Sequence, residues 1–261
     1  MDRNNIDKIA HTSEDRMLLA KLWDKIHSGM IRNIPANSGF LSTYEISMSR
    51  FLFGDVEGLF TFGGYEDSER KMLCYLPDYL DASALWDENS PIVCLRATYH
   101  ASDELSHRDF LGALMGMGIT RETIGDICVT HGSCDFFVAA EIAPYLKESF
   151  TSVGCVKVKV SQISLREASI PIPEMKEIRD TIASLRLDSI VATGFRIGRG
   201  LAVQHINAGK VSLDGQICEK PDKAVAEGSK ISVRGLGKIK LSSINGQTKK
   251  GRISVIIHRY I

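Results

Sequence analysis

Apolar residues along the chain recur with two periods, and the changes of period outline its elements. Leu18, Leu22, Trp23 and Ile26 share one helical face. Ser13 stands before them as an N-cap, with Glu14 and Asp15 in the first turn, so the chain is expected to open on a helix. A second helix is predicted over 44–53. Residues 59–62 and 72–76 read as strands, the first broken by Gly63-Gly64 and the second ended by Pro77. Together these predict a small α+β domain over residues 1–88.

From residue 89 the pattern is more regular. It predicts a strand at 92–99 and a helix at 106–117, with Ser106 and Asp109 in capping-box spacing. Strands at 127–130 and 134–139 are joined by a tight turn at His131-Gly132-Ser133. A helix at 141–150 and a strand at 156–160 follow. The order β-α-β-β-α-β is the ferredoxin-like arrangement, here a middle domain over 89–167. RNA-recognition domains share that order, but their aromatic-rich central strand motif is absent, so the fold alone does not make this domain an RNA binder.

Ala168-Ser169-Ile170-Pro171-Ile172-Pro173 favours extended backbone, and residues 168–180 are expected to be a semi-rigid linker. Residues 181–261 form a third domain. Leu187, Ile190 and Val191 mark a short helix, which Gly194 is expected to end as a left-handed C′ residue. Ala202, Val203 and Ile206 mark a second helix, ended by Gly209. Val211 and Leu213 then alternate before Asp214-Gly215, a type I′ turn signal. Gly228 precedes Ile231 and Val233. A C-terminal hairpin is expected from 238 to 257, with Asn245-Gly246 and a basic tip at Lys249-Lys250-Gly251-Arg252.

Charge sharpens this division. The net charge of the 261 residues is zero. Residues 1–175 carry 16 Lys and Arg against 25 Asp and Glu, whereas residues 176–261 carry 16 against 7. A basic final third on an acidic body points to a polyanion as partner. Hydrophobic content of 44% and charged content of 25% are those of ordinary globular material, and no apolar run is long enough to span a bilayer. The polar start, Met1-Asp2-Arg3-Asn4-Asn5, lacks a signal-peptide core. The six cysteines contain no C-x-x-C pair, which points to a reducing cytoplasm and no zinc site.

The cations sit where an anion would be held. Arg196 and Arg199 flank the start of the second C-terminal helix, where a cation opposes the helix dipole unless an anion is present. Arg186 precedes the first helix, and Lys210 follows the Gly209 turn. His107 and Arg108 repeat the arrangement in the first turn of the 106–117 helix, with Arg121 in the following loop. Tyr65, Arg70 and Lys71 are more readily ordinary turn residues than nucleic-acid contacts. Catalytic signals are weak. The glycine-rich stretches 112–118 and 194–200 do not follow a strand in G-x-G-x-x-G spacing. His107, His131, His205 and His258 lack metal-ligand spacing, and the carboxylate pairs Asp87-Glu88 and Asp103-Glu104 read as solvated.

The run Arg186-Leu187-Asp188, then Gly198-Arg199-Gly200-Leu201-Ala202, Ile206, Gly209-Lys210-Val211 and Asp214-Gly215, with Pro221 and Gly228 downstream, resembles the S4-type RNA-binding (αL) domain. That family usually has Ser or Thr beside the arginine, where this chain has Gly198 and Gly200, and commonly has Asn-Gly where it has Asp214-Gly215. The run from Ser106 to Ile127 (SHRDFLGALMGMGITRETIGDI), with Gly39-Phe40-Leu41, Gly63-Gly64-Tyr65 and the Arg234-Gly235-Leu236-Gly237-Lys238 tail, is similar to the YlmH-type family of bacterial S4-domain proteins. That resemblance implies a link to the large ribosomal subunit and to ribosome-associated quality control of stalled nascent chains; the scattered cysteines and weak catalytic signals add the expectation of a cytoplasmic, non-enzymatic protein. The resemblance also implies contacts with ribosomal RNA and peptidyl-tRNA. The family includes cyanobacterial relatives with a photosystem-linked name and Gram-positive members encoded near cell-division genes.

The expectation is therefore an α+β protein that binds structured RNA without a cofactor or metal. Arg186, Arg196, Arg199, Lys210, Arg234 and Lys238 would position phosphates, with His107 and Arg108 as a further contact. The alternatives are an RNA-modifying enzyme centred on His107, Arg108 and Asp109, or a cell-division-linked interaction protein using the acidic body.

Overall fold

A computed structural model describes residues 3–86, 90–172, 174–247 and 251–261. Met1-Asp2, Asp87-Glu88, Pro173 and the Lys249-Lys250 pair of the expected hairpin tip lie outside the described residues, as does the boundary expected at residue 88. The chain divides into two compact units, 1–171 and 172–261.

The first unit begins with α1 (Ile6–Ile9) and α2 (Ser13–Arg32). The N-cap of α2 is Thr12 rather than Ser13: its hydroxyl accepts from the Asp15 N–H while the Asp15 carboxylate accepts from the Thr12 N–H. Next come β1 (Ala36–Leu41), α3 (Thr43–Phe53), β2 (Leu59–Phe62) and β3 (Lys71–Tyr75). Strand β1 was not foreseen, because Asn37, Ser38 and Gly39 break its apolar alternation. Its register against β3 shifts between Asn37 and Phe40, and the Ser38 hydroxyl accepts the Leu73 N–H at 2.8 Å across that irregularity. Sheet order is β1-β3-β2.

Then follow β4 (Ile92–Thr98), α4 (His107–Gly116), β5 (Ile124–Thr130), β6 (Ser133–Ala139), α5 (Ala143–Ser149), the hairpin β7 (Ser152–Val153) and β8 (Val156–Lys157), and β9 (Lys159–Ile163). The four-stranded sheet runs β5-β6-β4-β9, antiparallel throughout. Two expectations need correction. The strand expected at 156–160 is two pieces, because Val153 is buried and draws 152–157 into a hairpin of its own. The helix expected from 141 starts regular α geometry at Ala143, with Pro144 in the first turn, where its missing N–H costs nothing.

Both faces of the four-stranded sheet are covered. Phe110, Leu114, Leu146 and Phe150 of the α4 and α5 side pack on Leu95, Phe136 and Val138. On the opposite face, Cys94, Cys128 and Phe137 pack against Phe40, Phe62, Met72 and Leu85. The three-stranded sheet is backed in turn by Leu19, Trp23, Ile26 and Leu52. The unit is thus a helix-sheet-sheet-helix stack. The middle sheets approach closely at Gly64, whose φ of +93° and lack of a side chain admit the Phe137 ring; a Cβ there would lie 2.4 Å from it.

The second unit has β10 (Met175–Ile182), α6 (Leu187–Phe195), α7 (Arg199–Asn207), β11 (Val211–Leu213), β12 (Gln216–Ile217), β13 (Lys230–Val233), β14 (Gly237–Gln247) and β15 (Ile253–Tyr260). Its six-stranded sheet runs β10-β15-β14-β13-β11-β12. The later part of the expected linker is therefore a strand, paired with β15 over eight residues. Only Ile178 and Ile182 of β10 are buried, too sparse a pattern to show a strand in the sequence. One sheet face packs on both helices through Ile178, Ile231, Ile239, Leu241, Val255 and Ile257. Asp214 and Gly215 both have positive φ, as a type I′ turn requires.

Candidate nucleic-acid interface

The geometry of the second unit begins with a buried acid. Asp188, in the first turn of α6, is 2% exposed. It accepts from Arg186 (Nε 3.2 Å, terminal nitrogen 3.2 Å) and from Arg199 (Nε 3.1 Å, terminal nitrogen 3.0 Å). The two arginines come from the N-cap of α6 and the first residue of α7, so one carboxylate joins two helix starts. Burial raises the Asp188 pKa, but the hydrogen bonds from Arg186 and Arg199 outweigh it and hold the carboxyl below its ordinary value. Both arginine side chains remain substantially exposed, at 41% and 55% of their surface. Two forks are thereby presented to solvent in a fixed pose, as bidentate capture of phosphate requires.

The turn between the helices differs from expectation. Gly194 is not the C′ residue; it lies inside α6, where its missing side chain lets Ile239 approach, and a Cβ there would lie 2.5 Å from Ile239 Cδ1. The left-handed cap is Arg196, at φ 54°. Holding a non-glycine residue there points an exposed cation out of the turn. Gly209, at φ +65°, follows the α7 cap as foreseen.

The remaining cations fall into two further places. Lys210 and Arg234 flank β11 and β13 and are joined through the backbone, Arg234 N–H to Lys210 carbonyl at 2.9 Å. Lys238 lies on β14 beside the buried Ile239, so it projects from the sheet face away from the helices, with its ammonium 5.6 Å from the Tyr260 ring centre. Arg259, not singled out in the sequence, stacks over Phe195 at 5.3 Å. Its partner Phe195 is the last helical residue before Arg196, a relation that only the packing reveals.

In the first unit, His107 and Arg108 occupy the first turn of α4 and are exposed. The Asp109 carboxylate accepts the Ser106 N–H at 2.8 Å and its hydroxyl at 2.7 Å, closing that end of the helix. Desolvation, then Arg121, lowers the His107 pKa, opposed by Asp126 and Glu69. Arg108 lines an open groove of about 530 Å³ with Glu104, Asp109, Gly112 and Cys155.

Tyr65, Arg70 and Arg121 are committed to the interior. Asp126 accepts the Tyr65 hydroxyl at 2.8 Å and the Glu69 and Arg70 N–H groups at 2.7 and 3.1 Å. The Arg70 guanidinium donates to the carbonyls of Phe40, Arg121 and Ile124, and Arg121 donates to Ile124 and Gly125. Burial, then Arg121, brings the Arg70 pKa down to about 10. Among the described residues, no group of three or more His, Cys, Asp or Glu is placed to hold a metal, and no helix is long and apolar enough to cross a membrane.

Residues 98–167 match a family model described as "Putative RNA-binding domain in YlmH". That match lies in the first unit, not on the arginine pair of the second. Among characterised relatives, the chain is similar to the "Ribosome-associated protein quality control protein P2" of Bacillus subtilis (strain 168). The two are 32% identical over 205 residues, which is 77% of this chain and 78% of that protein. Among solved structures, the "Cell division protein ylmH from Streptococcus pneumoniae" aligns with a TM-score of 0.49 and 21% identity, over 62% of this chain and 98% of that one. With more than three quarters of its length aligned to the B. subtilis protein at that identity, and the matched family model inside the aligned body, the chain belongs to the YlmH family.

Proposed function

We propose that this protein binds structured RNA of the ribosome without catalysing a reaction on it. The substrate surface is ribosomal RNA of the large subunit together with peptidyl-tRNA, and the setting is cytoplasmic quality control of stalled nascent chains. The observation that carries this reading is the pair of arginines held at two helix starts by one buried carboxylate. Such a pair grips phosphates of a folded backbone by shape, and flanking cations at Arg196, Lys210 and Arg234 extend the grip. Support from outside the second unit comes from the RNA-binding description of the matched family and from the ribosome-associated name of the B. subtilis relative.

In this reading the second unit is an S4-type module. The first unit carries a ferredoxin-like domain whose sheet faces are both packed, so its RNA contacts fall to the α4 start, at His107 and Arg108, rather than to a sheet platform. Co-sedimentation with large subunits tests the main site. Arg199→Glu is expected to reduce bound protein strongly at 100 mM salt, whereas His107→Ala and Arg108→Ala together produce a smaller loss. Unchanged sedimentation of Arg199→Glu would sink the helix-face assignment. Nucleoside mass spectrometry of RNA from cells with and without the protein tests the absence of catalysis; a modification lost with the protein would overturn it.

A further inference from the structure

The sheet of the second unit has a face that the helices do not use. Strand side chains alternate between faces, so the residues between the buried Ile231, Val233, Ile239 and Leu241 point the other way. They are Lys230 and Ser232 on β13, and Lys238 and Lys240 on β14. Register places Lys230 directly opposite Lys240, and Lys240 opposite His258. Like charges directly opposed across an antiparallel pair destabilise it. Neither Lys230 nor Lys240 has a carboxylate within ion-pair distance among the described residues.

Glu177, opposite His258 on this same face, and Asp214 at its border are already partnered. Glu177 pairs with Arg179 and His258, and the Asp214 carboxylate accepts the Lys230 backbone N–H at 2.8 Å. Tyr260 lies at one end of the face, against Lys238. Three lysines, serine hydroxyls and a tyrosine ring on a partly exposed sheet form a platform for a charged backbone carrying flat bases. Lys238 and Lys240, two residues apart on one strand, are about 7 Å apart along it, close to the step between successive phosphates of an extended strand.

We propose that this sheet face is a second RNA-binding surface, which takes a single-stranded phosphate backbone while the Arg186–Arg199 face holds structured RNA. It rests on the reading of the protein as an RNA binder but uses different residues on the opposite side of the same unit. A unit with both surfaces occupied would lie between two RNA segments and hold them together.

The test uses the full chain and a fluorescein-labelled oligouridylate of 20 nucleotides, read by anisotropy over a salt series, beside large-subunit co-sedimentation. Lys230→Glu with Lys240→Glu is expected to weaken oligouridylate binding by about ten-fold or more. Lys230→Gln with Lys240→Gln is expected to flatten the slope of log affinity against log salt by about 1.4, the share of two phosphate contacts on a single strand. Lys230→Arg with Lys240→Arg retains binding, and unchanged far-ultraviolet circular dichroism with a melting temperature no lower than that of the wild type shows that the variants fold.

If Arg199→Glu loses subunit binding while the lysine variants bind oligouridylate normally, the sheet-face proposal fails and the proposed function stands. If the lysine variants lose oligouridylate but Arg199→Glu sediments normally, the sheet face stands and the helix-face assignment fails. Loss in neither overturns both. Equal binding of oligoglutamate by the wild-type chain, lost in the same lysine variants, assigns the face to an acidic protein and also overturns the proposal.

Discussion

Asp188 and Arg199 meet across the junction of two helices, eleven residues apart in the chain, with a guanidinium nitrogen 3.0 Å from the carboxylate. Because Arg186 reaches the same acid, Asp188 fixes the angle at which two cations leave the surface. Asp188→Asn keeps the volume and removes the charge. We expect it to weaken RNA binding although every basic residue remains, and to lower unfolding free energy by roughly 1–2 kcal/mol, allowing for the exposed arginines. Urea unfolding and subunit co-sedimentation on the same preparation measure the two effects.

The same acid gives a pH signature. Its folded pKa lies below its ordinary 3.8, so its contribution is complete well above that value and is lost as pH falls through 3.8 and beneath it. Asp15, whose burial opposes and whose hydrogen bonds from His11, Tyr44 and Thr12 produce a net lowering, acts in the same sense in the first unit. Stability measured from pH 7 down to pH 3 is expected to fall in the last part of that range. The acid loss is expected to be shallower in Asp188→Asn.

Two helical glycines make opposite predictions. Gly194→Ala places a methyl against Ile239 and Ile257, and the overpacking exceeds the helix propensity gained, for a net loss of roughly 1 kcal/mol. Gly200, in the first turn of α7, has open space around it. Gly200→Ala is expected to stabilise by a few tenths to about 1 kcal/mol. Thermal melts of the two variants, run side by side, give the signs.

Arg96 and Asp135, opposed in register on β4 and β6, form a two-pronged ion pair at 2.7 and 2.6 Å. Asp135 is 1% exposed and also accepts the Ser169 N–H at 2.7 Å, while Arg96 holds the Glu167 carbonyl and the Ser169 hydroxyl. Arg96→Met strands a buried acid and releases segment 167–169. The expected cost is about 3–5 kcal/mol, with faster proteolytic cleavage near residue 168. Limited trypsin digestion followed by mass spectrometry locates the cut.

Long apolar periods make most elements readable in the sequence: α2, α4, α6 and α7 all follow faces set by their own residues. Elements whose stability comes from partners were hidden. Strand β1 depends on a serine hydroxyl filling its bulge, and β10 depends on the backbone of β15 rather than on its own two isoleucines. At the candidate interface, the cations Arg186 and Arg199 could be named from their places at helix starts. The acid that joins them could not be given its role, because a short-range pairing to Arg186 looks the same in sequence whether or not Arg199 arrives from the next helix. The gathering of Lys230, Lys238 and Lys240 on one sheet face likewise needed register, since Lys230 lies eight and ten residues from the other two in the chain.

The doubly covered sheet of the first unit bears on how this protein can be dissected. The segment recognised as a family, 98–167, starts at the last residue of β4 and omits the layer that shelters Cys128 and Phe137. Expressed alone, that fragment would lack the strand joining β6 to β9 and show a wet aromatic surface, and it is expected to clump rather than fold. The piece inherited as a recognisable sequence is thus smaller than the piece that can stand in water.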